Sequence, residues 1–135
     1  MEPGSNRNNR VQYVMDNELD MYPYMNGQNV FKHAVVRFPQ VIKEALDQNG
    51  YESKDIDMLI PHQANLRITQ FVQQKMGLTD DKIYSNIQRY GNTTAASVPI
   101  ALSEALEEGG IKEGALVCLA AFGSGFTWAS ALIRW

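Results

Sequence analysis

Several short stretches of this chain carry side chains suited to chemistry. His62 follows Pro61 at the end of a short apolar run, Ile56 to Ile60, and precedes a helical pattern. An imidazole there can donate a hydrogen bond or move a proton near neutral pH, and strand ends are where sites gather in α/β sheets. A structural histidine satisfied by a backbone carbonyl is the alternative. Asn92 lies in Tyr90-Gly91-Asn92-Thr93-Thr94, just ahead of another helical stretch. It either caps that helix, as Gly-Asn turn chemistry favours, or presents a catalytic amide. Gly123-Ser124-Gly125 is either a plain turn or a place where backbone N–H groups meet a developing oxyanion, since glycines let a ligand approach the backbone. Cys118 lies inside the apolar run Leu116 to Ala121 and reads as a small buried hydrophobe. A nucleophilic thiolate needs exposure and positive surroundings, and the neighbouring residues supply neither. Lys32, Arg67 and Lys75 form either a local basic patch or a scattered solvated surface. His33, beside Lys32, reads as a surface or packing residue.

The frame that must position these groups is that of one domain. The 135 residues are 44% hydrophobic and 20% charged, which is ordinary globular composition with room for a real core. A net charge of −3 disfavours a general grip on nucleic acid. One cysteine cannot close an internal disulfide, and with two histidines it leaves too few soft ligands for a structural zinc site. No run of about 18 apolar residues is present to span a membrane. The N-terminus lacks the basic-then-apolar order of a signal peptide, so a soluble, cytoplasmic protein is expected.

Residues 1–10, rich in asparagine with Pro3, Gly4 and Ser5, read as a mobile tail, and 11–135 as the domain. Val11 to Val14 is a strand candidate, and Met21 to Gly27 reads as a loop. Val30 to Asn49 has helical periodicity, carried by Phe31, Ala34, Val35, Phe38, Val41, Ile42, Ala45 and Leu46, with a kink expected at Pro39 and a stop at Asn49-Gly50. Ile56 to Ile60 reads as a strand, Asn65 to Met76 as a helix closed by Gly77, and Ile83-Tyr84 as a brief strand. Thr93 to Glu108 reads as a helix ended by Gly109-Gly110. Ala115 to Phe122 is apolar enough for a strand buried on both faces, and Phe126 to Trp135 is its antiparallel partner across the Gly-Ser-Gly link. The expected fold class is α/β, a mixed β-sheet with packed helices in the order βαβαβαββ.

Taken together, Pro61-His62-Gln63-Ala64-Asn65-Leu66-Arg67-Ile68, then Tyr90 to Pro99, then Phe122-Gly123-Ser124-Gly125-Phe126-Thr127-Trp128, with the segment Gly27 to Val35, resemble the C-terminal half of the β-ketoacyl-acyl carrier protein synthase III family. These are thiolase-like condensing enzymes, and the resemblance covers about residues 11–135. It implies an acyltransferase of fatty-acid synthesis. Such an enzyme moves an acyl group from coenzyme A onto a cysteine and condenses it with malonyl-acyl carrier protein, releasing carbon dioxide. On that resemblance His62 and Asn92 are the catalytic pair that donates to the thioester oxygen as negative charge grows on it, and the backbone N–H of Ser124 is half of the second oxyanion hole. The family often carries glycine at this last position.

The resemblance also places Lys32, Gln63, Ala64, Asn65, Leu66, Arg67 and Lys75 against the acyl carrier protein. Gly27, Phe31, Ala64 and Asn65 are placed along the pantetheine tunnel. No cofactor is implied: the coenzyme A thioester and the phosphopantetheine are substrates. The family's nucleophilic cysteine lies further upstream of the histidine than the 61 residues that precede His62 here, so the nucleophile and the N-terminal half are missing from this chain. An inactive isolated chain is therefore expected, self-associating through the face that its other half would cover. A non-catalytic truncated domain that only binds the carrier protein or another subunit is the alternative.

Overall fold

The computed structural model describes residues 25–135. The expected tail at 1–10, the strand at Val11 to Val14 and most of the expected loop at Met21 to Gly27 lie outside them. Helix α1, Gly27–Gln48, starts where the Asn26 side chain accepts a hydrogen bond from the Asn29 N–H at 3.1 Å, satisfying one of the orphan donors of the first turn. Ala34, Phe38, Val41, Ile42 and Leu46 form its buried stripe, the spacing of one helix face. Pro39 stands within this helix, which continues through it to Gln48. The missing Pro39 N–H costs one intrahelical bond, and the buried contacts on both sides of the proline hold the segment helical.

Three strands make the sheet, in the order β1-β2-β3. Strand β1, Met58–Pro61, runs parallel to β2, Leu116–Gly123. Strand β3, Thr127–Arg134, returns antiparallel to β2 from Gly123↔Thr127 to Leu116↔Arg134. The sheet is therefore mixed, as expected. The predicted strand at Ile83-Tyr84 shrinks to a single bridge, Leu59↔Ile83. Helix α2, Leu66–Met76, begins at the Asn65 cap and ends at Gly77. Gly77 has φ of 68°, a left-handed value that a Cβ would strain.

One helical turn that the periodicity does not announce, α3, Ile87–Tyr90, precedes Gly91. Helix α4 spans Ser97–Glu107, and the Thr93–Ala96 part of the expected helix is instead a loop and a 3₁₀ turn. The reason lies in Thr94, whose φ of 53° is outside the right-handed region that a helix needs.

Alternate strand residues feed two separate cores, which is why β1 and β2 read as nearly continuous apolar runs. Leu59, Leu116, Cys118, Ala120 and Phe122 pack with Ala34, Phe38, Ile42, Ile68 and Val72 from α1 and α2. On the other sheet face Met58, Ile60 and Val117 pack with Ala101 and Ala105 of α4. Strand β3 stays largely exposed, with Trp128 at 38%.

Candidate active site

β1 and β2 are parallel, so both carboxyl ends open on the same rim of the sheet. His62 sits just past β1, where its N–H donates to the Ala120 carbonyl at 2.8 Å and extends the ladder by one residue. The ring is half-buried, and its Nδ1 lies 2.5 Å from the Ser97 hydroxyl, at the first residue of α4.

Asn92 is exposed, and its Oδ1 accepts a hydrogen bond from the Thr94 N–H at 2.9 Å. The turn-forming role considered for this residue is therefore real, though the bond closes a local turn rather than capping α4. With Oδ1 so engaged, the Nδ2 hydrogens are the part of the amide left to donate. Gly91, with φ 66° and ψ −154°, supplies a backbone state that side chains resist, and so sets the loop that carries Asn92. Ser124 lies in the 3₁₀ turn after β2.

These three residues face a common space. His62, Asn92 and Ser124 line one cavity of about 830 Å³, within the usual size range of small-molecule pockets. Thr94 and Phe126, the two non-glycine residues with positive φ among the described residues, line it too. Backbone strain of this kind concentrates at functional sites. Ring stacking stiffens the wall: Phe122 stacks on Phe126 and Trp128 with centroids 5.7 and 6.4 Å apart. Arg37 lies 4.9 Å over Trp128, and His33, exposed, stacks on Phe126 at 4.6 Å, in keeping with its reading as a surface or packing residue.

The expected tunnel residues divide. Ala64 lines the cavity, whereas Gly27, Phe31 and Asn65 do not. Phe31 packs against the α1–α2 core and Asn65 caps α2. From the α1 segment the lining comes instead from Met25, Asn26, Asn29, Val30, Ala34 and Phe38.

Of the residues expected to meet a carrier protein, Lys32, Asn65, Leu66, Arg67 and Lys75 are exposed. Gln63 is a correction. Its side chain is 1% exposed and faces inward, where Nε2 donates to the Pro61 carbonyl at 2.6 Å and Oε1 accepts from Ser85 Oγ at 2.9 Å and the Asn86 N–H at 3.2 Å. It straps the end of β1 to the loop before α3, and a partner surface has no access to it. Gln63→Met keeps the volume and strands these partners. The expected loss is about 2 kcal/mol of unfolding free energy, read by chemical denaturation; an unchanged midpoint would refute the strap.

Cys118 is fully buried in the α1–α2 core, and burial pushes its thiol up to about 12. Native chain should resist iodoacetamide and react only once unfolded; rapid native labelling would overturn this placement.

Burial holds His62 below its ordinary 6.5, so the ring is neutral at pH 7. Between 6.5 and that lower value the unfolded chain binds more protons than the folded one, so stability falls as pH is lowered through this window. An NMR titration of the ring should give a midpoint below 6.5; a higher midpoint would contradict it.

Sequence reasoning overlooked Ser97. The signal is its phase: Ser97, Ala101 and Ala105 are the buried stripe of α4, and a hydroxyl on a buried stripe must find a partner.

The mixed sheet, the helices on both faces and this rim define an α/β domain with a candidate site at the carboxyl ends of β1 and β2. Comparison with known proteins narrows the class. The family described as 3-oxoacyl-[acyl-carrier-protein (ACP)] synthase III C terminal matches residues 46–135, and the chain belongs to that family. It is 51% identical over 112 residues to a β-ketoacyl-[acyl-carrier-protein] synthase III of Caldanaerobacter subterraneus subsp. tengcongensis, covering 83% of this chain and 34% of that protein. A relative of the same description from Campylobacter fetus is 46% identical over 121 residues, covering 90% of this chain and 37% of that protein.

Among solved structures, the 3-oxoacyl-[acyl-carrier-protein] synthase III of Aquifex aeolicus superposes with a TM-score of 0.83 at 43% identity, over 84% of this chain and 37% of that one. The corresponding enzyme of Pseudomonas aeruginosa gives 0.82 at 36% identity, over 100% and 39%. The chain thus spans about a third of the length of the curated relatives it matches. None of the helices among the described residues is long and apolar enough to cross a membrane.

Proposed function

We propose that this chain is the C-terminal catalytic half of a β-ketoacyl-acyl carrier protein synthase III, which condenses an acyl-coenzyme A primer with malonyl-acyl carrier protein. The observation that carries this reading is the convergence of His62, Asn92 and Ser124 on one cavity.

In the condensing step the C–C bond to the malonyl carboxylate breaks and carbon dioxide leaves. The electron pair forms an enolate whose charge sits on the thioester oxygen. That oxygen needs donors that are already in place, in a site that excludes water. His62 supplies a neutral imidazole N–H and Asn92 its Nδ2 amide. The enolate carbon then attacks the acyl carbonyl, whose oxyanion is received in part by the backbone N–H of Ser124; collapse of that tetrahedral intermediate breaks the acyl–sulfur bond, frees the 3-oxoacyl product and returns the sulfur as thiolate. The acyl group rides on a cysteine of the N-terminal half. Cys118 has no part in this, being sealed in the core.

The acidic carrier protein would dock against Lys32, Arg67 and Lys75 with Asn65 and Leu66, all exposed. Charge complementarity there would speed encounter. Ala64, on the cavity wall, would meet the pantetheine arm. The complementary half would cover the largely exposed strand β3. In its absence that face would drive self-association.

The test is malonyl-carrier-protein decarboxylation and condensation by the purified chain, with and without a separately expressed N-terminal half. Activity only in the mixture supports a competent half-enzyme. Association of the halves without activity favours a non-catalytic binding domain, and condensation by this chain alone would overturn the assignment of roles.

A further inference from the structure

We propose that Ser97 is a positioning residue that fixes the tautomer of His62, holding the imidazole proton on Nε2. The inference rests on the reading of His62 as an oxyanion donor, but its geometry stands by itself. Ser97 Oγ is buried, with the residue 1% exposed, and it accepts a hydrogen bond from the Gln63 N–H at 3.2 Å. A hydroxyl has one proton to give. Among the described residues the acceptor in reach of that proton is His62 Nδ1, at 2.5 Å.

If Nδ1 instead carried the proton and donated to Oγ, the serine would accept twice. Its own proton would then be buried without a partner, which is unfavourable. The O–H therefore points at Nδ1, Nδ1 is unprotonated, and a neutral ring carries its hydrogen on Nε2. With Nδ1 turned to α4, Nε2 is the nitrogen left to the cavity that His62 lines.

The consequence is chemical. An enolate oxygen is stabilised by an N–H and repelled by a nitrogen lone pair, so only one of the two neutral tautomers serves. The Gln63 N–H adds to the selection, because it occupies one lone pair of Oγ and leaves the hydroxyl proton free to turn toward the ring. One serine, the first residue of α4, so links the β1 rim to the helix that follows the Asn92 loop.

The experiment is nitrogen-15 NMR of the ring in the purified chain, with His33→Gln assigning the signals of His62. At neutral pH we expect a pyridine-like Nδ1 and a pyrrole-like Nε2. In Ser97→Ala the two shifts should move toward one another as both tautomers populate, and Ser97→Thr, which keeps the hydroxyl, should restore the separation. If the alanine variant loses the dispersed amide spectrum of a folded chain, Ser97→Cys takes its place, since a thiol is only a weak donor.

A pyrrole-like Nδ1 in the unsubstituted chain overturns the proposal. So does a folded alanine or cysteine variant whose tautomer is unchanged. In the assembly with the N-terminal half, Ser97→Ala should lower kcat about 10-fold with KM unchanged, the lower end of what losing an outer partner costs at a metal-bound histidine. An inactive assembly whose His62 is an Nε2–H tautomer would defeat the functional reading and leave this one standing. An active assembly with an Nδ1–H tautomer would do the reverse.

Discussion

Replacing His62 with alanine, in the chain assembled with the complementary N-terminal half, is expected to slow malonyl-thioester decarboxylation about 100–1000-fold, the usual effect of removing one oxyanion donor. The imidazole lies at the end of β1, anchored by its N–H on the Ala120 carbonyl. Its side chain takes no part in the strand ladder, so the substitution leaves the sheet intact. Asn92→Ala should fall in the same range. The double variant should fall short of the product of the two, because both donors serve one oxygen and such effects are not additive. The measurement is carbon dioxide release at saturating malonyl thioester, with circular dichroism confirming the fold. A loss of less than about 3-fold for His62→Ala would place this residue outside the donor role.

The second large effect concerns stability. Phe38→Ala should cost about 3–5 kcal/mol, the range for truncating a buried phenylalanine. Phe38 is 1% exposed, at the middle of the α1 stripe, and packs in the core that α1 and α2 share with β1 and β2. It is followed by Pro39, where α1 already lacks a backbone donor, so the helix depends on this packing at that level. Against a total of about 5–15 kcal/mol for a domain, the loss is severe. Urea denaturation should show a lower midpoint with an unchanged slope. A change below about 1 kcal/mol would mean that α1 is not held by this residue. Phe38 also lines the cavity, so the same variant enlarges the site.

The parts of the fold that the sequence revealed are those with long, regular patterns. The α1 stripe, the apolar run of β2 and its antiparallel return carry their signals over many residues. So does the Asn65 to Gly77 helix, with a cap at each end. The parts that escaped are short or decided by distant contacts. Ile83-Tyr84 has strand-like residues but only one bridge to Leu59, and α3 is a single turn with no periodicity to detect. Thr94 breaks the expected helix start through a backbone angle that composition does not encode.

The site shows the same division. His62, Asn92 and Ser124 were legible because their motifs resemble a known family, and the cavity brings them together. Gln63 was misplaced because Asn65, Leu66 and Arg67 of the same motif are exposed while its own amide turns in to meet Pro61, Ser85 and Asn86. Ser97, and the wall formed by Phe122 and Trp128 with Arg37 over the Trp128 ring, depend on contacts between residues far apart in sequence.

The two cores also divide the labour of change. The buried core residues on the cavity wall, Ala34, Phe38, Ile68 and Phe122, all belong to the α1–α2 layer, and the buried residues of the α4 layer contribute none. Leu59 and Ile60 are adjacent in the chain yet serve opposite layers. The α4 layer reaches the wall through the half-buried Val98, so substitutions that reshape the site draw mainly on one reservoir of packing. The chain can evolve a different cavity at the expense of half its interior, keeping the α4 layer as a reserve of stability against which new shapes are tried.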